Sequence, residues 1–391
     1  MSITCEARES ALNSRTSNRV VAMVGAGQLA RMTHEAAIKL GVRLRVLSSS
    51  DMDPAVLAGA EHVKGKADSI EDLRHLAAGA DVLTFDHEGV PPELLTRLES
   101  EGIPMAPSRT AKLMAQDKLH ARVSLDDLGY PVPAFEAPVD AGSALRFAED
   151  HGLPVTVKST RGGYDGKGVW QVSELAELER LFDDPANGLI LEPTLDILHE
   201  IAVIVVRSTT GERVTYPAVE TIQRDAMCRE ILAPANVSSS IAARAQSMAT
   251  DIAEDIGATG ILAVEFFLTS EGLLVNELAL RPHNSGHYTI EGCVTSQFEQ
   301  HLRAVLGMPL GLPALVSPSV VTVNVVGNHS GGDPRSNLEM ALGIPGVQIH
   351  LYDKEPRPGR KLGHVTVCGQ DREPALKAAL MAARVLEGGR P

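Results

Sequence analysis

The sequence predicts a protein of mixed α/β and α+β class that is divided into three domains. Short apolar segments alternate with helical patterns over the first 120 residues, and β-strand patterns dominate the middle of the chain. A proline- and glycine-rich stretch at Leu306–Ser319 then precedes a last group of strands, as a linker would. With 391 residues, the chain has room for two or three domains of about 100–200 residues each. We expect a disordered extension over residues 1–18 and domains at 19–120, 121–310 and 311–391.

A β-α-β unit opens the first domain. Strands are predicted at Val20–Gly25, Leu44–Ser50 and Asp81–Asp86, with a helix at Gln28–Leu40. Strands that alternate with helices favour a parallel sheet with helices on its faces. The first domain is therefore predicted to be Rossmann-like, and a mostly helical stretch at Arg109–Gly129 closes it.

The turn GAGQLA (Gly25–Ala30) joins the first strand to the helix and matches the loose form G-x-G-x-x-A of the dinucleotide fingerprint. An NAD site would also need an acidic residue near the end of the second strand. Ser48–Ser50 occupies that place, and Asp51 comes late. The motif therefore indicates NAD only weakly, and the simpler interpretation is a tight turn between a strand and a helix.

A glycine-rich loop in the middle of the chain predicts a phosphate site. RGGYDGKG (Arg161–Gly168) lies between predicted strands at Val155–Ser159 and Val169–Val172, and four of its eight residues are glycine. Glycines let backbone N–H groups approach an anion closely, and Lys158 stands on the preceding strand. The Walker A pattern GxxxxGK[ST] is absent from the sequence. An ordinary hairpin loop rarely needs so many glycines, so we favour a nucleotide-binding loop.

The β-strand pattern continues beyond this loop. We predict strands at Leu189–Pro193, Glu200–Ser208, ERVTYPAVETI (Glu212–Ile222) and both halves of Ile261–Arg281, with a helix at Ser238–Ile256. These strands alternate apolar and polar residues or are wholly apolar, as half-buried and buried strands are.

The last two of these strands form a hairpin that brings two glutamates together. Its turn is centred on Glu271, and Gly272 suits the left-handed position of a three-residue loop. Counting outward from the turn puts Glu265 opposite Glu277, within one position. Like charges directly opposed in a sheet are destabilising, and Mg²⁺ takes one or two carboxylates together with substrate phosphates. We favour a metal site; alternatively, one glutamate faces solvent or pairs with Arg281.

The third domain is predicted to be small and β-rich. Its strands are VVTVNVVG (Val320–Gly327), VQIHLYD (Val347–Asp353) and HVTVCG (His364–Gly369), followed by a helix at Glu373–Glu387. KEPRPGRK carries four cations in eight residues, at Lys354, Arg357, Arg360 and Lys361. In a chain with a formal net charge of −14, we favour an anion site over a solvated loop.

Composition excludes several classes of protein. The net charge of −14 argues against general nucleic-acid binding, which requires a basic surface. The four cysteines show no CxxC spacing and are interpreted as free thiols of a reducing cytosol. No apolar run is long enough to span a bilayer, and the first residues lack the apolar core of a signal peptide. We expect a cytoplasmic protein that binds neither nucleic acid nor membranes.

Taken together, the motifs resemble those of an ATP-grasp enzyme. The residues that carry this resemblance are Lys158, the loop RGGYDGKG, Glu192–Pro193, Glu200, EFF and Asn276–Glu277. Three further segments are similar to the N5-carboxyaminoimidazole ribonucleotide synthases of de novo purine biosynthesis: GQLARM (Gly27–Met32), Arg281–Gly311 and YDKEPRPGRKLGH (Tyr352–His364). The resemblance covers about Val20 to Gln370. It implies a Rossmann-like N-terminal domain, a central ATP-grasp domain, a small C-terminal domain and a homodimer.

The resemblance also implies a reaction and the residues that serve it. In that family ATP and bicarbonate give carboxyphosphate, which breaks down to CO₂ and phosphate, and the amine of aminoimidazole ribonucleotide is carboxylated. The implied cofactor is Mg²⁺, with Mn²⁺ as a substitute. Matching positions imply that ATP is contacted by Lys118, Lys158, Gln223 and Asn276. They imply a lid made of Gly162, Gly163, Tyr164, Asp165, Gly166, Lys167 and Gly168. The adenine pocket would be formed by Glu192, Pro193, Thr194 and Leu195, and the ribose would be contacted by Glu200. They imply metal ligands at Glu265 and Glu277 and a bicarbonate and imidazole site of Tyr164, Arg281, His283 and Asn284. They also imply a ribonucleotide site of Gly27, Gln28, Leu29, Lys354, Arg360 and Lys361. In the variable acidic segment FDHEGVP (Phe85–Pro91), Glu88 is the candidate for a further substrate-binding carboxylate. The role of His287 stays open.

Four positions depart from the family pattern. Lys118 stands where Arg is common, Gln223 where His is common, Ala30 where glycine is usual in GQLGRM, and Ala279-Leu280-Arg281 where APR is usual. A glutamine can donate a hydrogen bond but cannot carry charge. Three alternatives therefore stay open: another ATP-grasp carboxylate ligase, such as a formate-using glycinamide ribonucleotide transformylase or a biotin carboxylase; a non-catalytic nucleotide-binding protein; and an NAD-dependent dehydrogenase.

Overall fold

A computed structural model describes residues 19–163, 168–182, 188–329 and 332–389 of the chain. The strands in these ranges are β1 (Val20–Val24), β2 (Arg43–Ser48), β3 (Glu61–Lys64), β4 (Val82–Phe85), β5 (Val155–Ser159), β6 (Val169–Val172), β7 (Leu189–Pro193), β8 (His199–Arg207), β9 (Arg213–Thr215), β10 (Val219–Arg224), β11 (Met227–Ala233), β12 (Gly260–Thr269), β13 (Gly272–Ala279), β14 (Ser319–Val326), β15 (Val347–Leu351) and β16 (Lys361–Gly369). The α-helices are Gln28–Leu40, Pro54–Leu57, Ile70–Ala77, Pro92–Ser100, Arg109–Gln116, Lys118–Asp127, Ala141–His151, Leu175–Leu181, Ser239–Asp255, Thr289–Gly292, Gln297–Val305, Leu338–Leu342 and Arg372–Leu386. None of the helices described in these ranges has the length and apolar character needed to cross a membrane.

The N-terminal sheet is parallel and has the strand order β3-β2-β1-β4. β1 lies in its middle, and all five of its residues are buried. Val21 and Met23 pack into the core beneath helix Gln28–Leu40, whereas Ala22 and Val24 pack into the core on the opposite face. This arrangement confirms the predicted Rossmann-like domain. β3 was not predicted, because its sequence EHVK contains a single apolar residue.

The large central sheet contains nine strands in the order β13-β12-β8-β10-β11-β14-β16-β15, with β9 paired to β8. The segment Glu212–Ile222, predicted as one strand, is two strands separated by Tyr216–Ala218. β11 was not predicted at all, and it pairs antiparallel with β14. The C-terminal strands therefore extend the same sheet as the central strands.

A small three-stranded sheet, in the order β6-β5-β7, carries the glycine-rich loop between its first two paired strands. Helices Ala141–His151 and Leu175–Leu181 pack on it around Phe147, Val157 and Leu178. These strands occur where the sequence predicted them. The sheet lies apart from the large sheet in hydrogen bonding, and it presents Lys158 at the loop end of β5.

The β12–β13 hairpin has a different turn from the predicted one but the predicted register at its glutamates. Thr269 pairs directly with Gly272, so the turn has two residues rather than three. That shorter turn shifts the pairing by one position, and an irregularity between Glu265 and Phe266 shifts it back. Glu265 is consequently paired with Glu277, as predicted.

Candidate active site

One large cavity, of about 1610 Å³, lies where the three regions of the chain meet. The N-terminal domain lines it with the Gly25–Leu29 turn and His87–Val90, and the small sheet and its loop with Lys158 and Arg161–Gly163. The large sheet contributes Glu200, Gln223, Glu265, Phe267, Asn276–Ala279 and Lys361. The segment after β13 adds Arg281 and His283–Ser285. Residues far apart in the sequence thus face one space. A large cleft between domains is a typical place for a small-molecule site.

The paired glutamates form the acidic part of this cavity. Burial and the neighbouring Glu277 carboxylate raise the pKa of Glu265 to about 8. Lys118 donates a hydrogen bond of 3.0 Å to Glu277 Oε1, and His283 Nε2 lies 3.6 Å from Glu265 Oε1. Among the described residues, no group of three or more His, Cys, Asp or Glu side chains could hold a metal ion by itself. A divalent cation at this pair would therefore need further ligands from a substrate, as Mg²⁺ commonly does.

A buried network of charges surrounds Lys158. Its ammonium group donates to Glu192 Oε2 at 2.6 Å and to Asn276 Oδ1 at 3.3 Å. Arg122 donates to the other oxygen of Glu192 at 2.7 Å and to the carbonyl oxygens of Val275 and Asn276. Burial opposes ionisation of Glu192, but the two cations outweigh it and hold its pKa below the ordinary value. The network fixes the Lys158 ammonium at the cavity wall.

The four residues predicted to form the adenine pocket, Glu192–Leu195, do not line this cavity. Glu192 is buried in its ion pairs. Ile197 and Phe267 supply apolar wall nearby. Glu200 and Gln223 do face the cavity, and the Gln223 amide donates a 3.1 Å hydrogen bond to Glu200 Oε2. Burial raises the pKa of Glu200.

Arg281 and Glu88, predicted separately, form an ion pair in the cavity wall. Arg281 Nε donates to both carboxylate oxygens of Glu88 at 2.9 Å. Lys112 lies behind the pair, with its ammonium 4.3 Å from the centre of the Phe85 ring and 2.9 Å from the carbonyl oxygen of His87. Burial lowers the pKa of Lys112 to about 8. Lys112 thus adds a second positive charge, almost fully buried, beside the Arg281–Glu88 pair.

His283 and Asn284 both face the cavity. The Nδ1 atom of His283 lies 2.9 Å from Ser285 Oγ, and burial, together with Arg281 and Lys361, lowers its pKa to about 3. The imidazole is therefore neutral near pH 7, so it acts as a hydrogen-bonding group rather than as a general acid. The amide nitrogen of Asn284 is buried and has no partner among the described residues.

The glycine turn at the start of the first helix is occupied by an internal carboxylate. The backbone N–H of Gly27 donates a 2.9 Å hydrogen bond to Asp86 Oδ2. A Cβ atom on Gly25 would lie 1.7 Å from Asp86 Oδ1, and the residue has φ +104°. The glycines thus allow Asp86 to approach the turn, and the N–H that a dinucleotide phosphate would use is already bonded. This geometry argues against the NAD interpretation.

The cationic C-terminal loop reaches the cavity through Lys361, which lines it. Lys354 donates a hydrogen bond to Gln28 Oε1 at the start of the first helix. Arg360 instead donates to the carbonyl oxygen of Glu355 in its own loop. Of the three predicted phosphate ligands, Lys354 thus lies beside the Gly27–Leu29 turn and Lys361 lies on the cavity wall.

The glycine-rich loop is described at its two ends. Gly162 and Gly163 line the cavity, and Gly168 accepts a 2.8 Å hydrogen bond from the backbone of Ser159. The predicted lid residues Tyr164, Asp165, Gly166 and Lys167 lie outside the described residues. The role predicted for Tyr164 therefore stays a prediction.

Sequence reasoning missed three side chains that shape the site: Asp86, Lys112 and Arg122. Arg122 follows Lys118 by one helical turn, so the two share a face, which was a usable signal. Asp86 and Lys112 act through partners that only the tertiary fold brings close. No local pattern marks such residues.

Comparison with known proteins divides the chain into three family matches. Residues 19–116 match the ribonucleotide synthetase preATP-grasp domain, residues 123–298 the ATP-grasp domain, and residues 320–378 the phosphoribosylaminoimidazole carboxylase C-terminal domain. The central match contains Lys158, the glutamate pair and His283. The C-terminal match contains Lys354 and Lys361.

Similar proteins extend over nearly the whole chain. The N5-carboxyaminoimidazole ribonucleotide synthase of Mycobacterium tuberculosis strain H37Rv is 45% identical over 383 residues, which are 95% of this chain and 88% of that protein. The namesake from Corynebacterium ammoniagenes is 41% identical, with coverage of 94% and 92%. The crystal structure of an Aspergillus clavatus N5-carboxyaminoimidazole synthase, in complex with ADP and 5-aminoimidazole ribonucleotide, has a TM-score of 0.86 at 32% identity and covers 95% of this chain and 99% of that one.

Proposed function

Since this chain belongs to the N5-carboxyaminoimidazole ribonucleotide synthase family of ATP-grasp ligases, we propose that it uses ATP and bicarbonate to carboxylate 5-aminoimidazole ribonucleotide. The products are N5-carboxyaminoimidazole ribonucleotide, ADP and phosphate, in de novo purine biosynthesis. One observation carries the proposal for this chain: the paired Glu265 and Glu277, the Arg281–Glu88 pair and Lys361 all face one cavity. That cavity can hold a nucleotide, a small acid and a phosphate-bearing acceptor side by side.

Mg²⁺ is the proposed cofactor, with Mn²⁺ as a substitute, and Glu265 and Glu277 would hold it. Two facing carboxylates of which one has its pKa raised to about 8 form a site where a cation is favourable. Asn276 stands beside them on β13. When bound, the ion would neutralise charge on the ATP phosphates.

ATP is proposed to bind between the two sheets. Lys118 and Lys158 contact its phosphates, Gly162–Gly168 close over them, and Glu200 accepts hydrogen bonds from the ribose hydroxyls. Gln223 orients Glu200, which its 3.1 Å hydrogen bond supports. Backbone groups of Glu192–Leu195 are proposed to read the adenine, with Ile197 and Phe267 against its faces. The lysines position the ATP phosphates and neutralise their charge, which is most of what phosphoryl transfer requires from a protein.

Bicarbonate and the imidazole are proposed to lie between Tyr164, Arg281, His283 and Asn284. The Arg281 guanidinium is permanently charged. Its Nε bonds to Glu88 and its Nη1 to the carbonyl oxygen of Pro282, so Nη2 is the proposed donor to the anion. The unpartnered amide nitrogen of Asn284 is a donor for bicarbonate or carboxyphosphate. The neutral His283 orients the acceptor amine by hydrogen bonding.

The ribonucleotide is proposed to bind at the N-terminal turn. Lys354, Arg360 and Lys361 neutralise its phosphate, and Gly27–Leu29 with Glu88 contact the ribose and the ring. The contact between Lys354 and Gln28 supports this assignment because it brings a cation to the turn. Asp86 leaves the Gly27 N–H unavailable, so cationic side chains rather than the helix terminus bind the phosphate.

The reaction follows from these positions. A bicarbonate oxygen attacks the γ-phosphorus of ATP, and ADP leaves. The C–O bond of carboxyphosphate then breaks to give CO₂ and phosphate. The acceptor amine attacks the carbon of CO₂ and loses a proton to the departing phosphate. Exclusion of water by the loop Gly162–Gly168 protects carboxyphosphate from hydrolysis.

Product identification tests the proposal. With ATP, Mg²⁺, bicarbonate and 5-aminoimidazole ribonucleotide, we expect N5-carboxyaminoimidazole ribonucleotide in equal amounts with ADP. ¹³C-bicarbonate would place the label in the carbamate, as seen by NMR before it decomposes. Absence of ADP formation with these substrates would refute the proposal, and stimulation by formate instead would favour a formate-using ligase.

A homodimer in the cytoplasm is proposed for the assembly and location. Val294, Leu312 and Val316 are 54%, 65% and 56% exposed on neighbouring loops, and exposed apolar groups of this kind favour association. Light scattering should give a mass near twice 41.6 kDa. A mass near 41.6 kDa at micromolar concentration would contradict the dimer.

A further inference from the structure

Two buried histidines, His287 and His364, and the partly buried His350 stack between the active-site segment and the C-terminal strands. The ring centroids of His287 and His364 are 4.9 Å apart, and those of His364 and His350 are 4.5 Å apart, with planes inclined by 28° and 13°. His287 follows Arg281 by six residues, and His350 and His364 are paired residues of β15 and β16. The stack thus joins that segment to the strands that flank the cationic loop.

The rings of His287 and His364 can stack closely because neither carries a charge. Burial lowers the pKa of both His287 and His364 well below the ordinary value. The Nε2 atom of each ring is buried without a hydrogen-bond partner among the described residues. Buried polar atoms of this kind are costly to stability, so their retention suggests a task other than stability.

Tyr352 connects the stack to the rest of the site. Its hydroxyl lies 2.6 Å from His364 Nδ1. Because burial raises the pKa of Tyr352, the phenol keeps its proton and can donate it to the ring nitrogen. The tyrosine ring packs against Leu29 and Met32 of the first helix and against Phe298. Tyr352 therefore touches all three of the matched regions.

Lys354 follows Tyr352 by two residues. Its ammonium group lies 5.7 Å from the centre of the Tyr352 ring and donates a hydrogen bond to Gln28 Oε1. Gln28 lines the cavity. A lysine side chain loses considerable conformational entropy when it is fixed, so prior fixation makes it a better ligand.

We infer that Tyr352 and His364 are positioning residues for the phosphate-bearing acceptor. Their side chains are joined by a hydrogen bond and pack against the His287 ring, and this arrangement holds Lys354 at the Gln28 end of the cavity. The inference rests on the proposed function, because the acceptor is the ribonucleotide named there. It assigns to Tyr352 and His364 a role in binding the acceptor and not in binding ATP.

Substitution of Tyr352 by phenylalanine removes the hydroxyl and keeps the ring. We expect Tyr352→Phe to raise the KM for 5-aminoimidazole ribonucleotide by roughly three- to tenfold, the effect of one hydrogen bond, while kcat and the KM for ATP stay unchanged. Tyr216→Phe is the matched control, because Tyr216 is equally buried and donates a 2.7 Å hydrogen bond to the carbonyl of Thr295, away from the cavity. It should leave both KM values unchanged.

A double-substitution cycle separates positioning from general stability. In a Lys354→Met background, Tyr352→Phe should cause no further rise in the acceptor KM, because the group that it positions is gone. The same fold rise in both backgrounds would overturn the inference. An equal rise in the KM for ATP, or no rise in the native background, would do so as well.

A second pair of variants serves if Tyr352→Phe does not fold. His364→Asn keeps an amide group near the place of Nδ1, whereas His364→Gln puts it near Nε2, so the first can still bond to Tyr352 and the second cannot. We expect the acceptor KM to rise more in His364→Gln, and equal values would contradict the inference. An unaltered protein that makes no carboxylated product would refute the proposed function and the inference together; an active one with equal KM values in both variants refutes the inference alone.

Discussion

Arg122 illustrates how a single buried side chain can hold together several parts of the site. It contacts Glu192 on β7 and two carbonyl oxygens on β13 while its own helix carries Lys118. Its side chain is 4% exposed, as is that of Glu192. Removal of one partner from a buried ion pair leaves the other charge uncompensated, which is the costly event.

We therefore predict that Arg122→Leu lowers the free energy of unfolding by about 3–5 kcal/mol. Arg161→Leu is the control, because Arg161 pairs with Asp117 at 2.8 Å but is 60% exposed, and it should cost less than about 1 kcal/mol. Urea denaturation followed by circular dichroism measures both. Similar losses for the two variants would show that the Glu192 network is not a stabilising unit.

Glu277 is the second residue for which a sharp prediction follows. Glu277→Gln keeps the shape of the side chain and its contact to Lys118 but removes the negative charge that a metal would need. We expect kcat/KM to fall on the order of 100-fold or more, whereas Glu271→Gln, at the exposed turn of the same hairpin, should have no effect. Full activity in Glu277→Gln would exclude this carboxylate as a metal ligand.

At this scale the sequence was informative where residues are close along the chain. The hairpin predicted the pairing of Glu265 with Glu277, although the two-residue turn and the irregularity after Glu265 each shift the register by one position and cancel. Asp86 could not be placed, because its contact with Gly27 depends on β4 lying beside β1. The charge state of His283 also depends on burial, which the motif alone does not reveal.

At the scale of secondary-structure elements, the β10–β11 hairpin carries an unusual turn. Asp225 and Ala226 have φ values of 53° and 57°, the conformation of a type I′ turn, which favours Asn-Gly or Asp-Gly. Asp tolerates the left-handed region, whereas Ala does so at a cost of roughly 1–2 kcal/mol. The hairpin matters to the site because Gln223 and Cys228 line the cavity from its two strands.

Ala226→Gly is consequently predicted to stabilise the protein by about 0.5–1 kcal/mol, the relieved strain less the added freedom of the unfolded chain. The same change at Ala243, exposed in the helix Ser239–Asp255, should instead destabilise by about 0.5–1 kcal/mol. Thermal unfolding of the two variants gives opposite shifts if the turn is strained. A loss of stability in both would contradict that reading of the turn.

Element prediction succeeded where apolar runs were long and failed where a strand depended on its partner. β8 and β12 are almost wholly apolar and were predicted within a few residues. β11 begins with MCRE, a sequence that resembles a loop, and it is a strand because it pairs with β14. The break between β9 and β10 falls at Pro217, which has no backbone N–H to donate to a sheet, and Tyr216 beside it donates a hydrogen bond to the carbonyl oxygen of Thr295.

For the molecule as a whole, the continuous sheet decides how the regions are coupled. β11 pairs with β14 over four residues, and Leu232 lies in the same core as the C-terminal helix Arg372–Leu386. The cavity is closed on one side by strands of the central region and on the other by Lys361 at the start of β16. The cavity wall would be incomplete if the C-terminal strands separated.

We accordingly predict that the central and C-terminal strands open as one cooperative unit. Native-state hydrogen exchange should give β14 and β16 amides the same opening free energy as β8 amides, because the sheet cannot release β14 without exposing the Leu232 core. The parallel N-terminal sheet provides the internal comparison, since it shares no strand with the large sheet. If the amides of β14–β16 instead exchange with an opening free energy several kcal/mol below that of the β8 amides, the C-terminal region is an independent unit. Ligand binding could then close that region onto the cavity.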